Sequence, residues 1–372
     1  MNKVLLTGAT GCVGSALAAS FLAQSIPLVV LSRNDPDGER TENAILAAAT
    51  GFGLDIAQEM IQHLQVVNVD FSDLEHCVPS ELVADVTVAW HCAAEMSYSP
   101  HKLASSFEAN VGNSTRLYRL LAKAAPDLQR FYYVSTAYVA GMHGGTVAEV
   151  LHGAVRLINP YQVSKWGAEH ALYLEHQANG VPLTLFRPSV VVGHRATGWT
   201  ARNGFGFYMF ADAMRACSVA GHDHLTMAVR PEVRADLVPI DQVVADVLGL
   251  TLRAPAAQPA PFEVFHCSGG LNLTTRALLT QIAAASGLRL SFGTPLTTVE
   301  QKFARATEIN LPFANTEWTF RRERLDRALG RQAAPAPLTA EVVERQLAWY
   351  FEADGAPAAA TALAAPARAL AD

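Results

Sequence analysis

Three glycines set the first limit on what this chain can fold into. Gly8, Gly11 and Gly14 lie in the run TGATGCVG, after the short apolar stretch Lys3–Thr7 and at the head of a helical pattern over Gly14–Gln24. Glycines at this spacing let a backbone turn sharply and approach a pyrophosphate. They also let the helix pack close to the strand with its N-terminus facing the phosphates. A glycine trio by itself is a weak signal, because glycines turn chains everywhere. Directly after a short N-terminal strand it reads as a dinucleotide-binding turn, with Thr7, Gly8, Thr10, Gly11, Cys12, Val13 and Gly14 as its contacts.

The pattern that follows fits such a turn. Strand-like runs at Leu28–Ser32, Val66–Asp70, Val86–His91, Phe131–Ser135 and Leu183–Arg187 alternate with helical patterns at Glu42–Leu64, Ser106–Ala124 and Tyr161–Asn179. With the first run, that makes six strands separated by helices. They predict an α/β Rossmann architecture, a doubly wound parallel sheet that binds ligands beyond the carboxyl ends of its strands. After about residue 194 the rhythm breaks. GFGFYMFADAMRA at 204–216 reads as a helix, LVPIDQVVADVLGLTL as a helix entered after Pro239, and Phe262–Cys267 as a further strand. The expected organisation is a Rossmann domain over 1–195 and a smaller C-terminal substrate lobe over 196–351. Segments at about 236–267 return to the core, and a flexible Ala/Pro-rich tail covers 352–372.

Composition narrows the partners. A formal charge of −6 without a Lys/Arg cluster gives no electrostatic footprint for nucleic acid. The five cysteines are odd in number, scattered and never spaced C-x-x-C, which argues against a disulfide framework or zinc site and fits a reducing compartment. His194, His222 and His224 lack acidic neighbours at ligand spacing, so no metal is expected. The opening VLLTGATGCVGSALAASFLA mimics a signal peptide, but three glycines interrupt it, and a strand–turn–helix accounts for every residue. No apolar run reaches the roughly 18 to 20 residues that span a bilayer. The expectation is a soluble, cytoplasmic protein.

The second strand bears on which dinucleotide. It ends VVLSRN, placing Arg33 where an NAD site usually offers a carboxylate to the ribose 2′-hydroxyl. A guanidinium there suits a 2′-phosphate through bidentate charge-assisted hydrogen bonds, so NADP(H) is expected over NAD(H). Arg40 is placed to assist, while Asp35 and Asp37 lie close enough to weaken the argument. Asp70 and Phe71, after the third strand, are candidates for the adenine edge, although a strand-end Asp is as often a cap.

Tyr161 and Lys165 stand four residues apart in NPYQVSKWGAEH, on one face of a helix. A phenol of pKa about 10 is a poor proton donor near neutrality, and an adjacent ammonium would draw it down. Y-x-x-x-K alone is a frequent accident. Here it follows the glycine turn, the hydroxyls of Ser135 and Thr136 at the end of the fifth strand, and Asn110 in FEANVGNSTRLYRLL. Asn110 is either an ordinary helix residue or an organiser of Lys165 and a proton-relay water.

TGATGCVG, HCAA, the Asn110 segment, VSTAYVAG, YQVSK and RPSVVVG together resemble the extended short-chain dehydrogenase/reductase family in order and spacing, closely over the first 195 residues and loosely to about 350. The resemblance implies Tyr161 as catalytic acid, with Lys165 binding the nicotinamide ribose and lowering the Tyr pKa. It implies Thr136 rather than Ser135 as the substrate-oxygen hydrogen bonder, Asn110 as the fourth catalytic member, and Ala93 and Pro188 among the cofactor contacts. STAYV, SKWGAEH, RPSVVVGHRATGWT, DLVPIDQVV, FHCSGGLN and the long insertion at Glu42–Leu64 look like the thioester-reductase and fatty acyl-CoA reductase branch, the male sterility type. That branch implies hydride delivery to an acyl thioester to give an aldehyde, and in some members an alcohol. No nucleophilic cysteine is needed, so Cys92 and Cys267 read as core residues. Many such reductases terminate larger synthetases; this chain has no room for an adenylation module, so the acyl group is expected in trans, on CoA or a carrier protein. No basic patch marks a carrier-binding surface. The family also implies a homodimer through the helices carrying Asn110 and Tyr161. Within the fold, a ketone or aldehyde reductase, a 3β-hydroxysteroid-type dehydrogenase and a nucleotide-sugar epimerase or dehydratase remain open, the last through Arg230 and Arg234. A non-catalytic NADP-sensing regulator would usually lose Tyr161 or Lys165.

Overall fold

The first strand is VLLT, apolar on both faces and wholly buried, the pattern of a strand covered by helices on either side. In the computed structural model, which describes residues 3–201, 206–253, 260–332 and 335–352, it lies inside a seven-stranded sheet. The strands are β1 (Val4–Thr7), β2 (Leu28–Ser32), β3 (Leu64–Asn68), β4 (Val88–His91), β5 (Arg130–Val134), β6 (Leu183–Pro188) and β7 (Phe262–Cys267). Their spatial order is β7-β6-β5-β4-β1-β2-β3, every pairing parallel. The winding reverses between β1 and β4, and the carboxyl ends of those two strands flank the crevice where such sheets bind ligands. This is the doubly wound fold expected, with β7 added at one edge.

The helices that position the site are α1 (Cys12–Leu22), α2 (Glu39–Phe52), α3 (Ala57–His63), α4 (Asn113–Ala124), α5 (Pro160–Asn179), α6 (Phe207–Val219), α7 (Ile240–Leu252) and α8 (Thr275–Ala285). One apolar layer joins α1, α2 and α7 to the sheet around Phe21, Ile45 and Val243. The other joins α4 and α5 around Leu117, Leu121 and Leu172. Between α5 and β6 runs a fully buried ion pair, Arg187 to Glu169, at 2.6 Å. A third apolar cluster is built on α6, α8 and the helix Ala340–Glu352. A three-stranded sheet of Val190–Val192, Arg234–Pro239 and Leu271–Thr274 leads into it from the edge of the crevice.

Several element boundaries differ from the sequence reading, the following three among them. The single helix expected over Glu42–Leu64 is two helices, α2 and α3, because Gly53 at φ 69° closes α2 with a left-handed cap. The third strand begins at Leu64 and ends at Asn68, two residues earlier than expected, its register fixed by pairing Leu64 with Leu28. The helix expected over Ser106–Ala124 begins at Leu103 and contains one π turn, Glu108–Gly112, before α4. Gly204 and Phe205 of the aromatic segment, and the tail from 353, lie outside the described residues. Among the described residues no helix is long and apolar enough to cross a membrane.

Candidate functional site

A cleft of about 460 Å³ runs along the carboxyl edge of the sheet, from the glycine turn past β4 and β5 to the start of α5. At one end, α1 begins at Gly11 without a side-chain cap, which leaves its first N–H groups free to meet an anion. The three glycines have separate duties. Gly8 has φ 78°, and a Cβ there would lie 2.6 Å from the Ala93 nitrogen. A Cβ on Gly14 would lie 2.1 Å from the Gly8 carbonyl oxygen. On Gly11 it would meet nothing closer than 3.4 Å, so the chain itself does not require that glycine, whereas a pyrophosphate lying over the helix end would. The turn therefore fits a dinucleotide.

On the side of β2 and β3, Ser32, Arg33, Asn34, Arg40 and Phe71 line the cleft. Asp35 does not. It is 2% exposed, and its carboxylate accepts from the Thr41 amide, the Arg40 amide and the Ser32 hydroxyl at 3.0, 3.1 and 3.1 Å, and from the Thr41 hydroxyl at 2.5 Å. Those hydrogen bonds together outweigh burial and hold its pKa below the ordinary carboxylate value. Asp37 is turned to the Glu39 amide, 3.2 Å away. Arg40 donates to the Arg33 carbonyl. Both aspartates that weakened the case for a phosphate are thus occupied elsewhere, and two guanidinium groups remain on the wall.

Asp70 is not part of the cleft. β3 has already ended, and the Asp70 carboxylate receives the Ser72 amide at 2.8 Å and the Ser72 hydroxyl at 2.7 Å, closing a turn. Thr7 also lies behind the wall, where it takes part in a buried hydrogen-bonded chain. The Ala93 amide donates to Thr7 Oγ1 (3.2 Å), which is 2.6 Å from His91 Nδ1. His91 Nε2 is 2.9 Å from the Ser114 hydroxyl, which donates to the Asn110 carbonyl at 2.6 Å. Since Ser114 spends its proton on Asn110, His91 carries its own on Nε2 and accepts from Thr7. Burial, helped by the Lys165 charge, drops the imidazole to about 3, so it stays neutral. Sequence reasoning missed His91, although HCAA contains it.

At the other end stands the tyrosine–lysine pair. Asn159 caps α5 by accepting from the Gln162 amide at 2.8 Å, and Pro160 sits in its first turn. Those two residues fix where Tyr161 enters the cleft. Tyr161, Lys165 and Glu169 follow at i, i+4 and i+8 on one face. The Thr136 hydroxyl lies beside the Tyr161 phenol on the cleft wall. Burial raises that phenol above its ordinary value, the neighbouring Tyr98 raises it further, and Thr136 pulls it back. Lys165 does not figure among the groups that move it. Its Nζ donates to the Val134 carbonyl at 2.7 Å and sits 4.5 Å from the centroid of the Tyr133 ring. Burial lowers Lys165 to about 8, opposed by Cys92 and Glu169.

Asn110 is fully buried in the π turn and outside the cleft lining. Its Oδ1 accepts from the Glu95 amide at 2.8 Å, and its Nδ2 donates to the Glu95 carbonyl at 2.9 Å and the Ser164 hydroxyl at 2.8 Å. It fastens the loop after β4 to α5, holding Tyr161 and Lys165 indirectly. π turns of this kind recur at functional sites. Ala93 and Pro188 line the cleft. Cys92 lines it too, but burial pushes its thiol up to about 12, and Cys267 is fully buried, so neither is an activated nucleophile. Arg230 and Arg234 are absent from the lining; their backbone amides are held by Asn315 and Glu317.

Tyr98, which no sequence pattern announced, lines the cleft and two adjoining cavities. Its ring centroid is 6.1 Å from that of Tyr161 and 6.5 Å from that of Phe313. One of the cavities is an apolar chamber of about 110 Å³ directly behind Tyr161.

Residues 6–247 match the family model described as male sterility protein. Among curated relatives, the chain is 26% identical over 268 residues to the non-canonical nonribosomal peptide synthetase cpsA of Aspergillus campestris, covering 67% of this chain and 24% of that protein. It is 20% identical over 310 residues to fatty acyl-CoA reductase 2 of Bos taurus, covering 73% of this chain and 58% of that one. The chain therefore spans about a quarter of the first relative's length and rather more than half of the second's. In structure it is similar to the terminal R domain of the myxalamid PKS-NRPS biosynthetic pathway, with a TM-score of 0.74, 19% identity, and 96% and 92% of the two chains covered.

Proposed function

We propose an NADPH-dependent reduction of acyl thioesters for this chain, which belongs to the male sterility protein family, a branch of the extended short-chain dehydrogenases/reductases. As a member it is an NAD(P)-dependent oxidoreductase; the choice of NADPH, the thioester and the residue roles are the proposal. The observation that carries it is the single cleft joining an uncapped helix N-terminus and two arginines to Thr136, Tyr161 and Lys165.

In this reading the α1 N-terminus holds the pyrophosphate, and Arg33 and Arg40 hold a 2′-phosphate, since Asp35 is fully engaged elsewhere. Lys165, carried by the Val134 carbonyl, binds the nicotinamide ribose. The bound cofactor supplies a hydride. Thr136 and Tyr161 then bind the acyl oxygen and stabilise the negative charge that develops on it, and Tyr161 gives it a proton. On collapse the hydroxyl proton returns to Tyr161 as the carbonyl re-forms, the carbon–sulfur bond breaks, and the thiolate leaves with the bonding pair and takes up a proton. The balance is thioester, hydride and proton in, aldehyde and thiol out. The acyl group arrives on CoA or on a carrier protein, a chemistry for which Cys92 and Cys267 are not needed.

The test is NADPH consumption followed at the nicotinamide absorbance band with acyl-CoA, simple aldehydes and a UDP-sugar offered separately. Consumption with acyl-CoA, with one equivalent of free thiol released per first hydride, supports the proposal. Turnover of the aldehyde or the sugar alone refutes the thioester.

A further inference from the structure

The apolar chamber behind Tyr161 is walled by Tyr138, Phe207, Phe210 and Phe313 and closed at its inner end by Leu279 and Ile282 of α8, which are 3% and 0% exposed. At about 110 Å³ it is somewhat smaller than the roughly 150 Å³ apolar cavity that admits benzene. One charged group breaks its apolar lining. Asp236, 4% exposed, comes from the strand Arg234–Pro239 and lines the chamber. Its Oδ1 receives the Gly269 amide at 2.9 Å, whereas Oδ2 is buried without a hydrogen-bond partner. The Ser189 hydroxyl and the Gly270 amide also lie beside the carboxylate, and Ser189 Oγ likewise has no hydrogen-bond partner of good geometry. A buried carboxylate oxygen left unpaired costs free energy that a ligand donor would recover.

We propose that this chamber receives the acyl group and selects a compact one, short-chain or single-ring, carrying a hydroxyl or amino group that donates to Asp236, and that it excludes long fatty chains. The proposal rests on the thioester reading and adds the substrate class. The chamber is too small for a long chain, and an unsubstituted acyl group would leave Oδ2 as it stands. Burial already lifts Asp236 to about 6, so its charged form gains from any donor brought to it.

Two arms test it. In the first, CoA thioesters of butanoate, 3-hydroxybutanoate, benzoate, 3-hydroxybenzoate and palmitate are compared by kcat/KM. The hydroxylated compact esters should exceed their plain counterparts by tenfold or more, and palmitoyl-CoA should be the poorest. Asp236→Asn, which keeps the acceptor for Gly269, should erase the hydroxyl preference, read as the ratio of kcat/KM for hydroxylated and plain esters within that variant. Ile282→Ala should raise turnover of longer chains. Palmitoyl-CoA as the best substrate, or a hydroxyl preference unchanged in Asp236→Asn, overturns the proposal even though the thioester reading stands.

The second arm needs no reduction. Binding of 3-hydroxybenzyl alcohol and benzyl alcohol in the presence of NADP is read by ligand-observed NMR, with Leu279→Trp to fill the chamber. If no thioester is turned over, the thioester reading fails alone so long as the hydroxylated ligand binds tighter and Leu279→Trp abolishes its binding. Absence of binding, or binding indifferent to Leu279→Trp, overturns the chamber assignment.

Discussion

Replacing Gly11 by alanine separates the folding of the glycine turn from its use. The backbone there has φ −96° and ψ 169°, an extended conformation open to any residue, and an added Cβ meets only the Gly8 carbonyl oxygen at 3.4 Å. Removing a glycine from the unfolded chain favours folding by about 0.4–1 kcal/mol. Alanine is a poorer helix N-cap than glycine by an amount of the same order, about 0.5–1 kcal/mol. The two effects offset to within about 1 kcal/mol, so the melting temperature should move by only a few degrees. Gly14→Ala differs, because its Cβ would stand 2.1 Å from backbone oxygen, and either the turn or α1 must shift. Binding should report the reverse contrast. A methyl at position 11 occupies the space over the uncapped helix end, and loss of one charge-assisted hydrogen bond to a phosphate costs about 1.5–3 kcal/mol, roughly a 10- to 150-fold rise in Kd. Differential scanning fluorimetry gives stability and NADPH fluorescence titration gives Kd. A Gly11→Ala protein that melts normally and binds NADPH as tightly as wild type would refute the placement of the pyrophosphate on this turn.

Other expectations follow from the same geometry. Arg33→Ala should weaken NADPH by about 10- to 100-fold, the value of a charge-assisted phosphate contact, while leaving NADH within about twofold, measured by parallel titrations at fixed ionic strength. Glu169→Gln should leave the Arg187 guanidinium buried without its counter-charge, costing about 3–5 kcal/mol and lowering the melting temperature by on the order of 10 °C. Lys165 titrates at about 8 in the fold against 10.5 ordinarily, so between those values the unfolded chain binds more protons. Its contribution to stability therefore rises with pH across that window, while its hold on a ribose weakens. NADPH affinity should decline as pH passes about 8 without loss of folded protein by circular dichroism.

The fold was legible because parallel strands announce themselves. VLLT, LVVLS and LTLFRP are short apolar runs buried on both faces, and the glycine turn fixes which of them comes first. The α2–α3 break was not legible because the Gly53 cap lies inside a stretch whose apolar spacing continues through it. Tyr161 and Lys165 share a helix face by their spacing and line the cleft together with Ser135 and Thr136 from the end of β5, between which only the family resemblance chose. Asp35 could not be sorted from the cofactor-facing residues, since its engagement depends on Thr41 folding back from α2. Asp70 was misplaced for a related reason: a carboxylate near a strand end looks the same in sequence whether it faces a ligand or closes its own turn. Asn110 read in the sequence as either an ordinary helix residue or an organiser of Lys165 and a water; the groups it holds, Glu95 and Ser164, are 15 and 54 residues away and follow no periodic pattern. Tyr98 and Asp236 belong to the same class, since packing between distant segments brings each to a cavity wall.

The central claim is that the Tyr161 phenol delivers the proton to the acyl oxygen. Its most direct test is single-turnover reduction of an acyl-CoA by Tyr161→Phe saturated with NADPH. The ring is kept and only the hydroxyl is removed, so NADPH should bind within about twofold of wild type while the hydride-transfer rate falls by roughly 10²- to 10⁴-fold. An unchanged rate in that variant, with normal NADPH binding, would contradict it.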